Sequence, residues 1–88
     1  MRVESVEIYS DENNTVIMRH PGRRFPGLLI QGDALYSLCV AADEMCNAVG
    51  KESAGFSEAN KIRNRLWDSL NRYKATLDSH GVPLPFSH

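Results

Sequence analysis

Residues 15–33 read Thr15-Val16-Ile17-Met18-Arg19-His20-Pro21-Gly22-Arg23-Arg24-Phe25-Pro26-Gly27-Leu28-Leu29-Ile30-Gln31-Gly32-Asp33, and the fold turns on how this run is divided. Val16 and Met18 alternate with Ile17 and Arg19, and the β-branched Thr15-Val16-Ile17 favours an extended backbone over a helix. Two Pro-Gly pairs follow, Pro21-Gly22 and Pro26-Gly27. Each suits a type II turn, with Pro setting φ and Gly taking a positive φ, so the segment predicts a rigid double turn. Leu28-Leu29-Ile30-Gln31 is apolar enough for a short third strand. Gly32 ends it, and Asp33 is placed to cap a helix that opens at Ala34.

Upstream, Val6 and Ile8 alternate with Glu7 and Tyr9, which predicts a first strand over residues 3–9 with one wet face. The polar run Ser10-Asp11-Glu12-Asn13-Asn14 reads as a turn, because Asn and Asp bond their own backbone, and it joins the first strand to a second over residues 15–20. A rival reading caps a short helix at Asp11. The paired asparagines and the β-branched run after them argue against it.

Downstream, Leu35, Leu38, Cys39, Ala42, Met45, Cys46 and Val49 follow a 3.6-residue period, and Gly50 supplies the stop. Ser57 is placed to cap a second helix with the stripe Ala59, Ile62, Leu66, Leu70, Tyr73 and Leu77, ending near Gly81. The expected fold class is α+β: a two- or three-stranded antiparallel sheet with its apolar face covered by an antiparallel helical hairpin. Residues 1–81 form one globular domain. Residues 82–88 form a C-terminal tail whose Leu84 and Phe86 can lie over the core edge.

The chain has 88 residues, 42% of them hydrophobic and 24% charged, with a net charge of −1. A domain of this size has a modest core, so a homodimer is a ready way to bury more surface. The near-neutral balance lacks the basic character of many nucleic-acid binders. No apolar run approaches the roughly 18 residues of a membrane span, and Met1–Glu7 lacks an apolar signal region, so the expected location is the cytoplasm. Cys39 and Cys46 lie about 10.5 Å apart by helix rise, too far for a disulfide, and free thiols fit a reducing compartment.

Two places could carry function. In the first, Arg19, His20, Arg23 and Arg24 crowd a proline-stiffened loop that could bind phosphate or carboxylate with little ordering entropy. The plainer reading is that Pro21, Gly22, Phe25, Pro26, Gly27, Gln31, Gly32 and Asp33 are structural, while the guanidiniums pair with Asp33, Asp43 or Glu44. The second is an edge of the last helix, where Trp67 lies beside the apolar stripe with Arg63, Asn71 and Lys74 along the same side. Trp and Arg dominate binding hot spots, which makes this a partner-binding candidate. Its plainer reading is that Trp67 widens the core and its indole N–H finds a local acceptor.

The segments Pro21 to Gly27 and Gln31 to Asp33 resemble those of a family of small, functionally uncharacterised bacterial proteins with a Pro-Gly-Arg-x-Phe-Pro-Gly stretch followed by Gln-Gly-Asp. The resemblance covers about ten residues, with weaker similarity over Ile17-Met18-Arg19 and Leu35 to Leu38. It implies a bacterial, cytoplasmic, stand-alone protein and carries no activity.

No His, Cys or Asp spacing matches a metal site, no phosphate loop is present, and no cofactor is implied. The cysteines sit on the apolar stripe, where thiols are small hydrophobes. The favoured expectation is a non-catalytic protein-binding domain, an immunity-type inhibitor or adaptor, whose partner is another protein or a second copy. Recognition of an anion, phosphate or nucleic acid through the Arg loop is the alternative. A small enzyme with His20 and Asp33 as acid and base ranks last.

Overall fold

The computed structural model describes residues 1–13 and 15–87. Asn14 of the first turn and His88 of the tail lie outside the described residues. The protein is α+β, with three strands followed by two helices. It forms two compact units, Met1–Gln31 and Gly32–His88.

The first unit is a three-stranded antiparallel sheet in the order β1-β2-β3, built from β1 (Glu7–Ser10), β2 (Val16–Arg19) and β3 (Gly27–Leu29). All three strands are shorter than the alternation predicts. The β1–β2 ladder stops at Glu7 opposite Arg19, because the chain turns away at His20-Pro21 and leaves Val3 to Val6 without a partner strand. In the first turn, the Asn13 side chain accepts from the Thr15 N–H at 2.9 Å, the local bond expected of an Asn there. Ile8 faces Met18 and Ser10 faces Ile17, so Tyr9 is an extra residue that forms a β-bulge in β1.

The double turn resolves differently from the expectation. His20 to Arg23 closes one turn, with the Arg23 N–H on the His20 carbonyl at 2.9 Å. Gly22 has no positive φ there, so the turn is not type II. The His20 ring takes part instead, its Nδ1 accepting from the Gly22 N–H at 2.9 Å. The second Pro-Gly pair forms no turn at all. Gly27 opens β3 opposite Met18, and Leu28 and Leu29 continue the ladder against Ile17 and Val16. Pro26 fits immediately before the strand, where its missing N–H costs no ladder bond.

The second unit is a helical hairpin of α1 (Gly32–Val49) and α2 (Phe56–Ser79). Its seam is made of small residues. Cys39, Ala42 and Cys46 of α1 and Ala59 and Leu70 of α2 are buried, with Cys39 and Leu70 at 0% exposure. Such a seam brings the helix axes close and narrows the buried stripe, which leaves Leu38 and Met45 at its margin exposed. On α2 the expected stripe is kept at Ala59, Leu66, Leu70, Tyr73 and Leu77, all buried or half-buried, while Ile62 is 55% exposed and Trp67, beside the stripe, is half-buried. Trp67 lies against α1 because its ring buries apolar area there and its N–H has an acceptor on that helix.

The helix ends follow backbone geometry more than side-chain caps. α1 begins at Gly32, two residues before Ala34, with the Asp33 carboxylate accepting from the Ala34 N–H at 2.9 Å within the first turn. α2 begins at Phe56 and not after Ser57. Gly55 precedes it with φ 87° and no side-chain cap, a left-handed geometry that starts the helix two residues earlier than a Ser57 cap would. Gly50 ends α1 with φ 80° and its N–H on the Cys46 carbonyl at 3.1 Å. Gly81 ends α2 with φ 68°, its own N–H on the Asp78 carbonyl and the Val82 N–H on the Leu77 carbonyl, a Schellman pair of bonds. The tail then returns to α1, where the Phe86 ring stacks on Tyr36 with centroids 4.7 Å apart.

Candidate functional site

The Arg loop joins β2 to β3, and the structure separates its three guanidiniums into three situations. Arg19 belongs to the sheet. Its Nε donates to the Glu7 carboxylate directly across the β1–β2 ladder, and its Nη1 donates to the Arg23 carbonyl at 2.9 Å, which ties the loop to the strand. That hydrogen bond, and then the Arg19 charge, holds the Glu7 carboxyl below its ordinary value and raises Arg19. Arg24 lies over the neighbouring Phe25 ring, 5.4 Å from its centroid. The Arg23 guanidinium forms no hydrogen bond or ion pair to any described residue. Among the described residues neither Arg23 nor Arg24 reaches an acid, and the loop's ion pair goes to Glu7 and not to Asp33, Asp43 or Glu44.

Between this loop and β3 lies an open cleft of about 230 Å³. All of β3, Gly27 to Leu29, lines it, together with Met18 of β2 and His20, Arg23 and Phe25 of the loop. Gly27 lines the cleft, and a Cβ placed there meets nothing within 4 Å. Because His20 Nδ1 accepts from the Gly22 N–H, the neutral ring carries its proton on Nε2 and presents a donor. The surroundings are apolar and open, with Phe25 at 72% and Leu28 at 62% exposure.

Gln31-Gly32-Asp33 has a mechanical part. A Cβ at Gly32 would come within 2.6 Å of Tyr73 Cε1, and it would also overlap the Cζ and Oη of that ring. Gly32 is therefore the point where the start of α1 admits a side chain of α2. Asp33 bonds its own helix at Ala34, and His20 bonds its own turn at Gly22, so each is engaged locally.

On α2, the Trp67 indole N–H donates to the Asp43 carboxylate of α1 at 3.0 Å. The Arg63 guanidinium donates to Asn60 on the preceding turn at 2.7 Å, Lys74 is half-buried and Asn71 is exposed. Cys39 and Cys46 are free and buried, and burial, followed by the nearby Asp43 charge, pushes the Cys39 thiol up and away from the thiolate form. Among the described residues no group of three His, Cys, Asp or Glu side chains could hold a metal ion, and no helix is long and apolar enough to cross a membrane.

Sequence reasoning assigned Gly27 to a turn, and so missed both the cleft beside it and the contribution of Leu28 and Leu29. The signal was present. Gly27-Leu28-Leu29-Ile30 contains no charge and no Pro, which is unusual for the last strand of a sheet.

A family profile described as a family of unknown function, DUF6959, matches residues 1–86, and the chain belongs to that family. No curated protein and no solved structure gives a significant match.

Proposed function

We propose that this protein is a non-catalytic protein-binding module and that its sheet unit receives the partner. One observation carries the reading. No described residue of Met1–Gln31 is buried, while Ile8, Tyr9, Phe25, Leu28, Leu29 and Ile30 are all exposed large hydrophobics. A sheet of strands this short has little stability without a hydrophobic face to pack on, and this number of exposed large apolar side chains on so small a unit favours an interaction surface. Local engagement of His20 and Asp33 and burial of both thiols favour binding over chemistry.

A photo-crosslinking phenylalanine analogue in place of Leu28, expressed in the native host, tests the reading. The expected outcome is one dominant stoichiometric adduct with another polypeptide, lost when Ile17, the cross-strand neighbour of Leu28 on the same face, is replaced by Lys. Labelling spread over many abundant proteins, unchanged by that substitution, counts against it.

Arg23 and Arg24, neither paired with an acid, favour a second reading in which the loop recognises an anion. Titration with inorganic phosphate separates the two, because simple anion binding shifts the loop amides steeply and salt-dependently without any polypeptide.

A further inference from the structure

We infer that the free edge of β3 takes the C-terminal end of a partner polypeptide, laid antiparallel to β3 with its carboxylate at Arg23 and its last, apolar side chain beside Gly27. This rests on the protein-binding reading above and names the chemistry of the partner.

The two edges of the sheet are unlike. β1 is blunted by the bulge at Tyr9 and by the charged Glu7, two of the devices that keep an edge strand from pairing. β3 has neither. Its run from Gly27 to Ile30 is uncharged and free of Pro, and among the described residues β2 is its one neighbour in the sheet. β3 is short, three residues, which is itself a protection, but its uncharged edge is still a template for an added strand, with backbone bonds for affinity and pockets at alternate side chains for specificity.

Charge sets the direction. Arg2 is paired with Glu4, and Arg19 with Glu7. The cations without acid partners, Arg23 and Arg24, stand before the N-terminal end of β3, while Asp11 and Glu12 stand in the β1–β2 turn at the opposite end of the sheet. A strand added antiparallel to β3 places its C-terminus at the Arg end. There a planar guanidinium matches a carboxylate bidentately, and the His20 Nε2–H supplies a further donor. The space above Gly27 is open and edged by Phe25 and Met18, which suits an aliphatic or aromatic last residue and not a charged one.

The test uses the full chain and fluorescein-labelled hexapeptides whose last two positions are randomised, each with a free C-terminus or an amidated one, read by fluorescence anisotropy and by backbone amide shifts. Peptides with a free carboxylate and an apolar last residue are expected to bind and to shift the amides of Gly27 to Ile30. Amidation or Arg23→Gln is expected to weaken binding at least tenfold, and Gly27→Val, which fills the open space, is expected to abolish it. Circular dichroism confirms that both variants fold. Three results overturn the inference: no free-carboxylate peptide bound, amidated twins binding within twofold, or concentration-dependent pairing of two chains through β3. If amidation has no effect while Leu28 still crosslinks to a partner, protein binding stands and recognition of the terminus fails.

Discussion

Two glycines of the motif do opposite things, and the difference is read in a single atom. A Cβ on Gly32 would collide with the Tyr73 ring, whereas a Cβ on Gly27 would enter empty space at a backbone position with no positive φ. Gly32→Ala is therefore expected to cost about 1–3 kcal/mol by overpacking, and Tyr73→Ala in the same chain to recover part of that loss, because the two positions share one contact. Gly27→Ala is expected to be neutral or stabilising by up to about 1 kcal/mol, since Ala restricts the unfolded chain and suits a strand better. Urea unfolding of the three variants checks both. Equal destabilisation at the two glycines would show that neither environment is as described. The sequence alone marks Gly27 as a turn former and Gly32 as a strand end, and cannot say what a Cβ at either would meet, because that is decided by a residue 41 positions away in one case and by nothing in the other.

Among the elements, the β1–β2 ladder carries the clearest pH dependence. Arg19 holds the Glu7 carboxyl below its ordinary value of 4.5, so the folded state binds that proton less readily than the unfolded one. The pairing contributes in full above the ordinary value and is lost as pH falls through the depressed one. Glu7→Gln is expected to lower stability at neutral pH by the same small amount that the wild type loses in acid, and so to remove this acid-side decline, a small effect for an exposed pair. Unfolding measured across the acid range, for the wild type and the variant, decides it; parallel curves would remove the pair from the account. Element type was largely legible here. The alternation at Val16 to Arg19 and the 3.6 period from Leu35 to Val49 both became what they predict. The ends were not, because Gly55 and the His20 ring chose geometries that no cap or turn rule based on Ser57 or Pro-Gly contains.

For the whole molecule, burial is uneven between the two units. The helical unit holds every buried side chain, including Cys39 and Leu70, and the sheet unit holds none among the described residues. Amides of β1, β2 and β3 are accordingly expected to exchange with solvent well before those around Cys39 and Leu70, since local opening is easiest where little apolar surface is packed. Hydrogen exchange by mass spectrometry checks this, and a bound partner at β3 should slow the sheet selectively. Uniform protection across both units would contradict it. The amino-acid sequence by itself determined the order of strands and helices, the antiparallel hairpins, the glycine stops at Gly50 and Gly81 and the buried thiols, because those follow from periodicity and local backbone preference. Only the tertiary structure decided that Arg19 joins Glu7 while Arg23 is left without an acid, that Trp67 and not Ile62 turns towards Asp43, and that Gly27 lines a cleft. Each of these is a choice between side chains of equal local propensity. It is made by which neighbour arrives from a distant part of the chain.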